Sequence, residues 1–178
     1  IHNISELRHS DYFPQKPCEY HNKATRDSLF SESKKQNEGL QLGSVNSDNY
    51  LKFLVEELKP YIDSNFSTLT DKENTAILGS SMGGLISMYA ICEYPEIFGG
   101  AACLSTHWIG TYSSVNNPIP NAFFNYMDKN LPNSITHKIY FDYGTKTLDS
   151  MYLIYQTQVD LVLKKHGYET NLKFEGAN

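Results

Sequence analysis

Residues 75–105 read TAILGSSMGGLISMYAICEYPEIFGGAACLS, and they decide the fold. Thr75-Ala76-Ile77-Leu78 is a short apolar run closed by Gly79, the pattern of a buried strand. Met82 to Tyr94 carries Leu85, Ile86, Met88, Tyr89 and Ile91 at helical spacing and is stopped by Pro95. Phe98 to Leu104 forms a second apolar run, and Gly99 and Gly100 keep its start slim. Strand, helix and strand in immediate succession make a crossover unit, which joins parallel strands.

The same alternation continues outward. Downstream, a loop from Ser105 to Pro120 holds Trp108 and Tyr112, and Asn121 to Asn130 is expected to be a short helix. Lys138 to Tyr143 reads as a third strand, Asp149 to His166 as a long amphipathic helix, and Asn171 to Phe174 as a last strand. Upstream, Ser47 is a good N-cap, and Leu51, Leu54, Val55, Leu58, Tyr61 and Ile62 follow at helical spacing. Pro60 is expected to kink or end that helix. Residues 5–46 lack sustained periodicity and are expected to form a long surface excursion, the kind that serves as a lid or substrate wall. The fold class is therefore α/β, a mostly parallel sheet with helices on both faces. The length of 178 residues suits one domain, 1–178. The opening on IHNIS without a Met and the ending on LKFEGAN read as cut ends, so that domain is expected to be incomplete.

Composition removes several function classes. Fifteen Lys+Arg stand against twenty Asp+Glu, a net charge of −5, and neither sign forms a block. A nucleic-acid partner would call for a basic stripe. The apolar runs are far too short for a membrane span. Cys18, Cys92 and Cys103 show no C-x-x-C spacing, so neither a disulfide framework nor a zinc ribbon is expected. Nothing in the sequence asks for a metal or a cofactor.

Gly79-Ser80-Ser81-Met82-Gly83 is a G-x-S-x-G set between a strand and its helix. A serine on such a turn stands above the sheet edge, where a base can reach its hydroxyl. Small residues two before and two after let the chain turn sharply, because a Cβ at either place is expected to collide with neighbouring backbone. The serine also opens a helix, whose free N–H groups favour developing negative charge. The N–H of Met82 is the candidate oxyanion donor. With 11 glycines and 17 serines in the chain, chance supplies about 0.06 such motifs, so a nucleophile is the preferred reading. The alternative is a tight structural turn or a phosphate cradle, but the Lys of a P-loop and a G-x-G-x-x-G are both missing.

At this point the chain resembles a known family. GSSMGGLISMYAICEYPEIFGGAACLS is similar to the nucleophile-elbow region of the putative esterase family of α/β-hydrolases, which includes enterochelin, feruloyl and acetyl-xylan esterases and S-formylglutathione hydrolases. IHNISELRHSDYFP resembles the strand end and R-x-x-[DE]-Y-x-P loop that precede the elbow, and IYFDYGTKTLDSMY resembles the strand and turn that carry the acid. The resemblance implies an α/β-hydrolase fold that lacks its first strands and its last helix here. It also implies that the catalytic histidine follows Phe174-Glu175-Gly176-Ala177-Asn178.

The chain order Ser, acid, His leaves two aspartates for the acid. Asp149, in the turn after the third strand, is preferred to Asp142 within it, although Asp149 could also be an ordinary helix N-cap. Among the six histidines, His166 ends a helix and His137 precedes a strand at the far edge. His107 and Trp108 follow a strand on the carboxyl edge, where ligands bind in such sheets, and are candidate substrate-binding residues. Trp108 could instead cap the core. The function that follows is a serine carboxylic-ester hydrolase working through an acyl-enzyme on Ser81, acting on a small-molecule or carbohydrate-linked ester. A catalytically inactive binding protein on the same fold, or an acyltransferase using the same serine, are the alternatives.

Overall fold

The computed structural model describes residues 8–20, 45–110 and 117–169. Two short helices, α1 (Arg8–Tyr12) and α2 (Gln15–Glu19), come first. A continuous helical stretch follows: α3 (Ser47–Lys52), a π-helical segment Phe53–Leu58, and α4 (Lys59–Asn65). Then come β1 (Ala76–Ser80), α5 (Met82–Glu93), β2 (Gly100–Leu104), α6 (Ile119–Asn130), β3 (Lys138–Asp142) and α7 (Leu153–Lys165). The strands lie in the order β1-β2-β3, and both pairs are parallel. Ser80, Leu104 and Asp142 stand opposite one another at the strand ends. The three carboxyl ends therefore finish in one row, where an open parallel sheet places its chemistry.

Helix α5 explains why the sheet holds together. It is apolar all round, and its residues from Met82 to Cys92 are buried, so it is a core helix instead of an amphipathic surface one. Leu85, Met88 and Ile91 are fully buried there, each adding about 1.5–3 kcal/mol of transfer free energy. The core lies on the face of the sheet that carries Ile77, Ala101, Cys103, Ile139 and Phe141. On the opposite face Leu78 is 69% and Tyr140 40% exposed. Of the helices expected around the sheet, α5 packs on β1 and β2 from the core face, and α6 and α7 add Phe123, Met127, Val159 and Leu163 to the same core. The strands are consecutive in space, and successive right-handed crossovers running in one direction leave their helices on the same side.

Several local expectations change. Pro60 neither ends nor breaks its helix, which runs on to Asn65. A proline ring conflicts with the carbonyl four residues back. The π-helical segment loosens the spacing just ahead of it, with the Lys59 N–H donating to the Leu54 carbonyl five residues back. Ser47 is the first residue of α3, and Asn46 holds the N-cap position. The buried Ser47 hydroxyl instead accepts the Gln15 N–H at 2.9 Å and so ties α3 to α2. Phe98 and Gly99 precede β2 instead of belonging to it. Gly99 donates to the Lys72 and Thr75 carbonyls, and a Cβ there would sit 2.4 Å from the Lys72 oxygen. A 3-10 turn, Thr147–Met151, replaces the first turn of the expected last helix.

Of the expected excursion over 5–46, residues 8–20 are anchored to the core. Tyr12 and Phe13 are buried, and the Arg8 guanidinium lies over the Tyr12 ring at 5.3 Å. Residues 5–7 and 21–44, like the expected strand Asn171–Phe174, lie outside the described residues. No helix among the described residues is long and apolar enough to cross a membrane.

Candidate active site

The G-x-S-x-G turn joins β1 to α5. Ser81 is half-buried and adopts φ 59°, ψ −119°, a conformation that costs a non-glycine residue on the order of 1–3 kcal/mol. Its surroundings enforce that geometry. The Ser81 N–H donates to the Leu104 carbonyl at 2.9 Å, so the ladder between β1 and β2 extends one residue past the strand. The Ser81 carbonyl accepts the N–H groups of Gly84 (3.0 Å), Leu85 (3.3 Å) and His107 (3.2 Å). Met82 is the first residue of α5, so its N–H has no acceptor within the helix.

The two motif glycines are not equivalent, contrary to the expectation that both exclude a Cβ. A Cβ on Gly79 would meet the Gly83 backbone at 2.5–2.8 Å, whereas a Cβ on Gly83 meets nothing within 4 Å among the described residues. Gly84, outside the motif, is the second tight position. A Cβ there would lie 2.6 Å from Thr106 Oγ1 and 3.2 Å from Thr106 Cα.

Beyond β2 and β3 the backbone repeats the device. Ser105 has φ 42°, and its N–H donates to both the carbonyl and Oδ1 of Asp142, each at 3.0 Å. Its hydroxyl donates to Asp149 Oδ2 at 2.7 Å, and the Gly144 N–H donates to the same oxygen at 2.9 Å. Thr147, just before Asp149, is the third non-glycine residue with positive φ among the described residues, at 57°. The unfavourable backbone therefore collects at one edge of the sheet. Asp149 is not a helix cap, since its carboxylate reaches back to Gly144 and across to Ser105. Asp142 has its Oδ1 committed to a backbone N–H at the strand end.

His107 and Trp108, the candidate substrate residues, are both buried. The His107 Nδ1 lies 2.9 Å from the Tyr152 hydroxyl. Burial, reinforced by the nearby His9 and Arg8, lowers its pKa from 6.5 to about 4, so the ring is neutral at pH 7. Trp108 has no exposed surface; its ring packs on Phe124 and Phe141, and its N–H donates to Gln156 Oε1 at 3.3 Å. Of the two readings left open by the sequence, this environment is that of a core residue. His137 bonds the Pro95 carbonyl (2.8 Å) and His166 pairs with Asp128 (3.1 Å). His107 reaches Ser81 through its backbone N–H, while its ring bonds Tyr152, and among the described residues no three His, Cys, Asp or Glu side chains gather as metal ligands. A groove of about 820 Å³ follows the outer edge of β1, between Leu54, Leu58, Ile62, Leu78 and Phe98. It borders the turn at Ser80 and Gly83 without including Ser81.

Ser105, Gly144 and Tyr152 were not singled out in the sequence. The one signal for Ser105 is its place directly after a strand, the place Ser81 holds after β1.

Comparisons with known proteins bear on the family and the fold. A sequence model of the family described as "Putative esterase" matches residues 21–157. An endo-1,4-beta-xylanase/feruloyl esterase of Xylanibacter ruminicola is 35% identical over 102 residues, 55% of this chain and 14% of that protein. The carboxylesterase SOBER1 of Arabidopsis thaliana is 30% identical over 80 residues, 45% of this chain and 35% of its own length. The chain thus spans about a third or less of these relatives. A solved ferulic acid esterase superposes with a TM-score of 0.53 at 18% identity, covering 74% of this chain and 51% of that one, a likeness of fold. With its parallel βαβ core and with the family match running over most of its length, the chain belongs to the putative esterase family of α/β-hydrolase fold.

Proposed function

We propose that this chain carries the nucleophile and the acid of a serine carboxylic-ester hydrolase. The observation that carries the reading is the Ser81 turn: a serine held at φ 59° between strand and helix, at the carboxyl edge of a parallel sheet. Ser81 Oγ attacks the ester carbonyl carbon, and its proton passes to an imidazole base supplied from outside the described residues. The N–H of Met82 donates to the oxyanion of the tetrahedral intermediate. The base then protonates the leaving alcohol, and water hydrolyses the acyl-enzyme by the same steps in reverse. Asp149 orients the imidazole and stabilises its charged form. Its place after β3 and its two donors on one oxygen favour it over Asp142.

For the substrate, a sugar-linked aromatic ester is the first choice, because the Xylanibacter relative is named a xylanase/feruloyl esterase. The test is hydrolysis of methyl ferulate and a p-nitrophenyl ester by the full-length protein and its Ser81→Ala variant. Loss of at least roughly 10⁴-fold in kcat is expected. Retained activity in the variant would sink the reading. Ester formation with an added alcohol would instead mark an acyltransferase, and no turnover by the wild type a binding protein.

A further inference from the structure

We propose that Ser105 is a positioning residue that fixes which oxygen of Asp149 is offered to the base. The inference rests on the roles given above to Ser81 and Asp149.

A carboxylate on a turn can rotate, and an imidazole N–H needs one oxygen presented in a constant direction. Both recorded donors to Asp149, the Ser105 hydroxyl at 2.7 Å and the Gly144 N–H at 2.9 Å, converge on Oδ2. Two donors on one oxygen set the plane of the group and leave Oδ1 as the acceptor for the base. The two donors are themselves held in place. Gly144 lets the carboxylate approach its backbone, since a Cβ there would lie 2.9 Å from Asp149 Oδ2. Ser105 is locked by its bifurcated N–H on Asp142, at a φ of 42° that favours glycine. Glycine would take that backbone without strain but has no hydroxyl to give. Ser105 also follows β2, adjacent to β1 and β3, so it joins the strand ends that carry Ser81 and Asp149.

Two variants separate this role from a structural one. Ser105→Ala keeps the strained backbone and loses the hydroxyl; Ser105→Gly relieves the strain and loses the hydroxyl. In the full-length protein both are expected to lower kcat roughly 10- to 100-fold, the worth of one hydrogen bond to a charged group, with KM unchanged. Ser105→Gly is expected to melt at or above the wild-type temperature, so that variant stays informative if Ser105→Ala folds poorly. Asp149→Asn supplies the control. In that background, adding Ser105→Gly is expected to cost nothing further. Wild-type kcat in both Ser105 variants, or a loss that simply adds to that of Asp149→Asn, overturns the positioning role while leaving Asp149 as the acid. Full activity of Asp149→Asn overturns the assignment of Asp149 and this inference with it.

Discussion

A Cβ on Gly79 would stand 2.5 Å from the carbonyl oxygen of Gly83, yet a Cβ on Gly83 would touch no described atom. The turn is tight in one direction only. β1 at Gly79 passes against the backbone of α5 at Gly83, while Gly83 itself lines the groove that flanks β1.

Gly79→Ala and Gly83→Ala therefore separate the two positions. The first forces backbone apart and should destabilise by about 1–3 kcal/mol or more, with loss of activity. The second adds a good helix former to the first turn of α5 and should be neutral or stabilising by up to about 1 kcal/mol. Urea midpoints measure both. Equal losses from the two substitutions would contradict this geometry.

His107 gives the fold a pH dependence whose sign is fixed. Its folded pKa of about 4 lies below the ordinary 6.5, so the unfolded chain binds the proton more readily. The corresponding stability is fully present above pH 6.5 and is lost as the pH falls from 6.5 through about 4, on the order of 3 kcal/mol in all. His107→Gln, which keeps a partner for Tyr152, should flatten the curve of unfolding free energy against pH in that window. An unchanged slope in the variant would show that other groups carry it.

Trp108 is expected to act through packing. Trp108→Ala should cost about 3–5 kcal/mol of stability, and Trp108→Phe markedly less. KM of Trp108→Phe should stay within about twofold of wild type, since a fully buried ring meets no substrate. A large rise in KM without a change in melting temperature would return the residue to the substrate pocket.

The strand–helix–strand unit was legible in residues 75–105 because each element announces itself locally. An apolar run, a helical spacing ended by Pro95 and paired glycines need no knowledge of distant residues. The placement of Ser81 and Asp149 was legible for the same reason, from position after a strand. Ser105 was not, because its role depends on the register that sets Leu104 opposite Asp142 and on a carboxylate 44 residues away. Trp108 follows a strand in a polar-looking loop, and only the packing of α6 and β3 around it, through Phe124 and Phe141, makes it core. Pro60 carries a strong local signal that a neighbouring π-helical segment offsets. Gly83 and Gly79 look alike in the motif, and only the path of α5 against β1 tells them apart.

The central claim is that Ser81 is an activated nucleophile. The most direct measurement is the intact mass of the full-length protein before and after a fluorophosphonate probe, with peptide mapping of any adduct. The account predicts one adduct, on Ser81, absent from Ser81→Ala and slowed in Asp149→Asn. An unmodified protein, or an adduct on another residue, would contradict it.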